Sequence, residues 1–558
     1  IVGFLERFGI GAENAKKIYD LLGINAIEQI ESNPYILIDM ARGVDFKQID
    51  QMALKLGISY DNQKRVESGI KYGLIKATYN GHSCVIKQNL IDYVISLLDV
   101  TTEAIEDNII NLKAKGEIIV ETRDEAEWIY LENFYNVEKE IATRIIRLDK
   151  SKNLKKIEHI ENALKGVEKK SNIELSEKQR EAVLSINDSN VTIITGGPGT
   201  GKTTIIKTII DLFEERKKKV VLTAPTGRAA KKMTEATGKE ASTLHRLLGI
   251  GKLDDEGIYS RHSDYKGEPI DADLIVVDEL SMVDMFLMNY LLNCIYQGTK
   301  LILVGDVDQL ASVGPGSVLK DLINSDTINT VKLDKIFRQA AKSKIVLNAH
   351  RVNSGLGFIK NDDEEIEEDT KQDFFFIRQN STEKMLQEVI SLSTGRLEKF
   401  GNYDFFKNIQ VLTPTKKGPL GTRELNKALQ AVLNPNVDEL PERKIGDVVY
   451  RVGDRVMQIK NNYDITWERE AKPFGVGKID GKSEENSWES MYLAKPKDKK
   501  EIGTGVFNGE MGTIIEIDER EKVAKIQFDD EKIAWYEYAD LDQIEHSYAI
   551  TIHKAQRK

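Results

Sequence analysis

Val191-Thr-Ile-Ile-Thr-Gly196-Gly197-Pro198-Gly199-Thr200-Gly201-Lys202-Thr203-Thr204 joins an apolar run, a glycine-rich turn and an apolar-periodic stretch reaching about Glu215. Gly196 to Thr203 fit the pattern G-x-x-x-x-G-K-[ST], and the flanks predict the strand, loop and helix that the pattern needs. A chance glycine-rich turn would not come with those flanks. Glycines let backbone N–H groups wrap an anion, and the helix N-terminus adds its positive dipole end. In such a loop Lys202 reaches the β and γ phosphates of a nucleoside triphosphate, and Thr203 ligates magnesium.

Outward from this loop, Val220 to Thr223, Leu274 to Val277 and Leu301 to Val304 are further apolar runs. From about Ile173 to Leu333 they alternate with amphipathic stretches, which predicts a parallel sheet with helices on its faces, an α/β fold. Leu274-Ile-Val-Val-Asp278-Glu279 ends one such strand on two carboxylates. Asp278 is expected to hold a magnesium ion through a water, and Glu279 to polarise the attacking water as general base. The two motifs imply nucleoside-triphosphate hydrolysis with Mg2+ and leave open what the hydrolysis drives.

The chain has 558 residues, 41% hydrophobic and 30% charged, with a net charge of -11. That length suggests three or four domains. No apolar run is long enough to span a bilayer, and none reads as a signal peptide. Cys84 and Cys294 have no neighbours at zinc-finger spacing, so a reduced, cytoplasmic setting fits. Acidic net charge argues against a surface coated in cations, so nucleic-acid contact is expected to be local. Basic residues cluster at Arg216 to Lys219 and at Arg228, Lys231 and Lys232; the acidic run from Asp362 to Glu368 reads as a solvated face.

The first part, to about Leu148, is mostly helical by period and reads as separate domains. Phe8-Gly9-Ile10-Gly11 suggests a helix-hairpin-helix turn or a plain packing turn, and Gly43-Val44-Asp45 is a poorer second candidate. Val85 to Leu131 reads as two helices and a hairpin around Gly116, similar to a winged helix that either touches nucleic acid or braces a motor.

In this setting the chain resembles the superfamily 1 helicases, and within them the RecD-like branch that works without partner nuclease subunits. Leu175-Ser-Glu-Lys-Gln179 looks like the Q motif, whose glutamine reads adenine in the family. Ala224-Pro225-Thr226-Gly-Arg228 and Ser242-Thr243-Leu-His245-Arg246 resemble the motifs that line the single-strand track; His245 is otherwise a core or capping histidine. Gly305-Asp306-Val-Asp308-Gln309 resembles the motif whose glutamine senses the γ phosphate. Ile336-Phe337-Arg338-Gln339 resembles the one whose arginine supplies charge to the transition state. Gln410 to Gly418, with Thr413 and Thr415, and the following Asn426 look like the branch signature. Tyr548 to Gln556, with Thr551, His553 and Lys554, resembles a motif that contacts strand and nucleotide.

Gly453-Asp454 to Gln458, Asn461 to Tyr463 and Asn508-Gly509 resemble a small inserted β-barrel, Asn-Gly marking a hairpin turn. Between them, about 464–505 reads as a polar surface excursion. Ala555 and Arg557 stand where the family has serine and glycine, and no second arginine motif follows. The chain is therefore expected to be a fragment, or the ordered part, of something longer.

The resemblance implies residues 1–70 as a helix-hairpin-helix region, 71–150 as winged-helix-like and 151–335 as a first RecA-like motor domain with a pin hairpin at 249–273. It implies 336–440 as the start of a second motor domain, 441–540 as an SH3-like barrel and 541–558 as the return. It further implies a monomeric 5′-to-3′ DNA helicase acting on single-stranded and tailed duplex DNA, with no membrane partner. The rivals are a translocase that does not unwind and an ATP-switched DNA-binding protein.

Overall fold

The computed structural model describes residues 2–8, 10, 12–40, 46–152, 156–250, 267–335, 342–360, 371–436, 440–470 and 500–556. Gly9, Gly11, the 43–45 turn, the acidic run, Arg338 with its motif, most of the 249–273 stretch and Arg557 lie outside them. The chain forms two compact units, Ile1–Phe375 and Phe376–Lys558.

In the first unit, β1 (Cys84–Ile86), the helices Lys87–Leu98 and Thr102–Ala114, β2 (Ile118–Arg123) and β3 (Ala126–Leu131) make a winged-helix arrangement with strand order β1-β3-β2. The hairpin turn is at Asp124 and Glu125, both at positive φ, and not at Gly116. Gly116, at φ +74°, ends the preceding helix instead. A buried ion pair ties this module to the helices before it. Arg65 Nε and Nη2 each lie 2.8 Å from an Asp50 carboxylate oxygen. Tyr35 donates to the same carboxylate at 2.6 Å, and Arg65 Nη1 donates to the Leu98 carbonyl at 3.1 Å.

Next comes a six-stranded sheet: β4 (Val191–Gly196), β5 (Val220–Ala224), β6 (Ala241–Thr243), β7 (Leu274–Val277), β8 (Lys300–Gly305) and β9 (Asn329–Leu333). All pairings are parallel, in the order β6-β5-β7-β8-β4-β9. The central strands are apolar at successive positions because helices cover both faces. Ile194, Val276 and Ile302 pack on one side with Ile205, Ile209 and Phe213 of the helix Lys202–Glu214. Ile193, Ile275 and Leu301 face the other side.

That second face is shared with the helices of the first part, which the sequence reads as separate domains. Its core runs without a break from Leu5 through Phe134 and Ile145 to Phe286 and Leu303. Phe134 and Phe286 meet edge to face with centroids 5.2 Å apart, and Asn289 donates to Glu140 at 3.2 Å. The helix Glu132–Asp149 turns its apolar stripe to this core.

The second unit holds a parallel pair, β10 (Val411–Thr413) with a strand near the end of the chain, and a seven-stranded antiparallel sheet. A hairpin, β11 (Glu442–Ile445) and β12 (Val448–Arg451), leads into β13 (Arg455–Gln458), β14 (Asn462–Glu470), β15 (Lys500–Val506) and β16 (Met511–Asp518). β17 (Val523–Phe528), β18 (Ile533–Glu537) and β19 (Ile544–His546) follow, and β20 (Ala549–Thr551) pairs with β10. The order is β15-β14-β18-β17-β16-β13-β19 around one core of Val456, Ile514, Ile526, Ala534 and Tyr536.

Two expectations change here. The flanks of 464–505 are paired strands, Trp467 opposite Gly503, and only 471–499 lie outside the described residues. Asn508-Gly509 does turn the chain, Gly509 at φ +93°, but it joins β15 to β16, which are not neighbours. It is a crossing turn and not a hairpin. The reason is that β14, β18 and β17 lie between the strands it connects.

Candidate functional site

Strand order decides which residues meet. β4, β5, β6, β7 and β8 all end at the same edge, so the phosphate loop, Pro225 and Thr226, Thr243, Asp278 with Glu279, and Gln309 are gathered at one rim of the first unit. The carboxyl ends of parallel strands are where open α/β sheets take ligands.

Four carbonyls of the loop, those of Gly196, Gly197, Pro198 and Thr200, have side-chain partners. Lys202 Nζ donates to the Gly196 and Gly197 carbonyls, and Thr200 Oγ1 donates to Gly197 at 2.9 Å. Gln179 Nε2 donates to the Thr200 carbonyl at 3.3 Å, and His350 Nε2 bonds to the Pro198 carbonyl at 3.2 Å. Gly199 and Gly201 sit at φ +75° and +82°, a conformation that side chains other than glycine's resist. With the carbonyls held by these donors, the loop amides are left to face an anion. Thr203 and Thr204 are exposed on the first turn of the helix Lys202–Glu214.

Gln179 is only 1% exposed, and its amide is engaged at both ends. Its Oε1 accepts from the Ser176 amide at 3.0 Å in a capping box that starts the helix Glu177–Ser185. In this state it braces the loop and is not turned toward a base.

At the end of β7, Asp278 continues the sheet through its amide, bonded to the Thr223 carbonyl at 3.0 Å. Its carboxylate accepts from the Glu279 amide at 2.8 Å. Glu279 adopts φ +54°, a left-handed conformation that costs a non-glycine residue on the order of 1 kcal/mol and recurs at functional sites. Gly305 leaves room for this turn, because a Cβ there would come within 3.3 Å of the Leu280 amide nitrogen. Burial pushes the Asp278 carboxyl above the usual range, opposed by the Glu279 amide and the Lys202 charge. Burial, and then the Asp278 charge, push Glu279 up as well, with Lys202 and Lys232 opposing. The pair is thus a desolvated patch of negative charge beside one ammonium. Among the described residues no group of three or more His, Cys, Asp or Glu could hold a metal.

Asp306, 4% exposed at the end of β8, shapes the next turn: its carbonyl accepts from the Gln309 amide at 3.2 Å and its carboxylate from the Asp308 amide at 3.1 Å. Thr226 caps the helix Gly227–Thr237 through the Ala229 amide, and Thr243 caps Leu244–Leu248 through the Arg246 amide. Pro225 and His245 are half-buried, while Arg228 and Arg246 are exposed.

In the second unit three expected strand-contacting residues are instead committed inside the fold. Asn426, 8% exposed, donates to the His546 and Ala549 carbonyls at 3.1 and 3.0 Å and accepts from the Ala549 amide at 2.8 Å. Thr413, 4% exposed, donates to the Leu420 carbonyl at 2.6 Å. Thr551, also buried, caps the last helix through the Lys554 amide. Asn426 thereby fastens the helix Thr422–Leu433 to β20, while Thr413 and Thr551 bond to the turns that follow their own strands. Thr415 and His553 are exposed, and Lys554 is paired with Glu545 at 2.8 Å. Asn426→Ala is expected to lower unfolding stability by about 1–3 kcal/mol, the cost of unpaired buried amide groups. Denaturant titration checks this; a parental midpoint with weakened strand binding would restore the contact role.

Sequence reasoning missed two features. His350 is a lone histidine outside any motif, and no local signal announces that it lies over the loop. Asp454, fully buried, accepts from Gln430, Asn434, Tyr548, His546 and the Arg451 amide. Those bonds hold its carboxyl below the usual range despite burial, and they join the sheet to β20.

Family models place this architecture. The helix-hairpin-helix domain of ATP-dependent RecD2 DNA helicases matches residues 1–84, an AAA domain matches 179–315, and the SH3 domain of ATP-dependent RecD-like DNA helicases matches 425–528. Two of these three models make the chain similar to RecD-like helicases. The RecD-like chain is 29% identical to the ATP-dependent RecD2 DNA helicase of Deinococcus radiodurans over 99% of its own length and 68% of that protein's. It is 26% identical to an uncharacterized protein of Methanocaldococcus jannaschii, again over 99% of the chain but 52% of the relative. The RecD subunit of the Mycolicibacterium smegmatis RecBCD enzyme is 40% identical over 26% of the chain and 30% of that subunit. A solved Bacteroides Pif1 helicase in complex with ADP-AlF3 and single-stranded DNA is 16% identical, covering 69% of the RecD-like chain and 84% of that one at a TM-score of 0.33.

Proposed function

We propose that this chain is the motor of an ATP-dependent DNA helicase that moves 5′ to 3′ along a single strand and opens the duplex ahead. One observation carries the chemistry: a phosphate loop whose carbonyls are held by donors lies at the same sheet edge as a buried carboxylate pair. Similarity to RecD-like helicase domains and the RecD2 relative's name supply the DNA helicase reading.

In this reading Lys202 grips the β and γ phosphates, Gly196 to Thr204 wrap the chain of phosphates, and Glu279 takes the proton of the attacking water. Thr203 and Asp278 would hold magnesium. The residues fit it: the hydroxyl of exposed Thr203 and the buried Asp278 carboxylate are hard oxygen donors, and so few of them suits an ion that keeps water and phosphate ligands. When bound, magnesium neutralises charge developing on the phosphates. Gln309 senses the γ phosphate and Arg338 supplies the coupling charge. Arg228, His245, Arg246, Thr415 and His553 touch the strand, with Pro225, Thr226, Thr243 and Lys554 shaping its track. Cations on phosphates make binding salt-dependent and tolerant of sequence.

The protein acts as a cytoplasmic monomer in this reading; among the described residues no helix is long and apolar enough to cross a membrane. The domain limits proposed are those of the sequence, with one change: the helix Lys344–Asn353 belongs to the first unit. The test is ATP-dependent unwinding of two fluorescent duplexes, one with a 5′ and one with a 3′ tail. Only the 5′-tailed duplex should open. Strand-stimulated hydrolysis with neither opened would make the protein a translocase, and opening of the 3′-tailed duplex alone would reverse its direction.

A further inference from the structure

We propose that His350 is a positioning residue of the phosphate loop: its imidazole N–H holds the Pro198 carbonyl outward and so presets the loop amides for a phosphate chain. The proposal rests on reading 196–203 as a nucleotide site.

A loop that turns its N–H groups inward must turn carbonyls outward, and a donor on such a carbonyl fixes its direction. Lys202, Thr200 and Gln179 supply donors for Gly196, Gly197 and Thr200. Pro198 has no N–H and a φ fixed by its ring, so the direction of its carbonyl is what remains to be set. His350 Nε2 is 3.2 Å from that oxygen. A carbonyl only accepts, so Nε2 carries the proton.

The ring also explains Gly197. Unlike Gly199 and Gly201, Gly197 is not at positive φ, so its backbone does not demand glycine. Instead a Cβ at Gly197 would lie 2.7 Å from His350 Cε1. The imidazole rests on the loop where a side chain would otherwise stand.

His350 is carried on a well-anchored helix, Lys344–Asn353. Ser343 caps it through the Val346 amide, and fully buried Lys344 donates to Gln372 at 2.6 Å. Asn348 exchanges two bonds with the backbone of Ile359, at 3.1 and 2.6 Å.

The experiment uses the full chain and measures affinity for a fluorescent ADP analogue together with KM and kcat for ATP. His350→Ala should weaken ADP binding by about threefold to tenfold, the loss of one hydrogen bond, and raise KM in step, with kcat at saturating ATP little changed. His350→Gln, which places an amide donor at similar reach, should restore most of the affinity. Gly197→Ala, by pushing the ring off, should weaken binding too, and the double variant Gly197→Ala/His350→Ala should be no weaker than the sum of the singles less their shared term. Parental affinity in His350→Ala overturns the proposal. So does a Gln variant as weak as Ala at an unchanged melting temperature, or full additivity in the double variant. If His350→Ala does not fold, the Gln and Gly197→Ala variants still decide. A parent chain that binds no ADP would instead remove the nucleotide reading itself.

Discussion

Glu279→Gln is expected to lower ATP turnover by about a hundredfold to ten-thousandfold while nucleotide and strand binding persist. Glutamine keeps the shape that fits the left-handed turn after β7, so the strained backbone and the Gly305 contact should survive. What it lacks is a lone pair basic enough to take a proton from water. Removing one charge from a buried acidic pair also relieves desolvation, so the nucleotide-bound state should be no less stable. Single-turnover hydrolysis, read beside ADP affinity and a salt titration of strand binding, separates these effects. Near-parental turnover would place the general base elsewhere, and a loss of binding as large as the loss of rate would make Glu279 a structural residue.

Lys202→Ala should reduce turnover on the order of a thousandfold, since it removes a charge aimed at the transferred phosphoryl group. Two further consequences follow from the geometry. The Gly196 and Gly197 carbonyls lose their donor, so the loop relaxes and nucleotide affinity falls together with rate. The cation that opposes the rise of the Asp278 and Glu279 pKa values is also gone, leaving the pair harder to ionise. Strand affinity, measured at two salt concentrations, should stay parental, because Arg228 and Arg246 remain exposed and in place. Unaltered ATP turnover would take the phosphate loop out of the mechanism.

Much of the first unit could be read directly from the chain. Val191 to Gly196, the loop and the helix Lys202–Glu214 are close in sequence, and their identity follows from local propensity and period. The same holds for β7 and its two carboxylates, and for the two helices of the winged module. Turn positions were less legible. Asp124-Glu125 forms the hairpin although glycine stood at Gly116, since helix termination and strand reversal both use residues at positive φ. The continuity between the N-terminal helices and the sheet was also hidden, because an amphipathic face records that it will be covered but not by what.

The sequence by itself therefore determined the type of each local element, the phosphate loop, the acidic pair after it, and the family resemblance. Only the tertiary structure decided that five strand ends share one rim. The same is true of the partners of amides and imidazoles: Gln179 under the loop, Asn426 against β20, and His350 over Pro198. Local structure follows from interactions a few residues apart, whereas these bonds join atoms that the chain holds far apart until the sheet has formed. A polar side chain carries its hydrogen-bonding capacity in its chemistry, but burial and partner exist only once distant segments have packed around it.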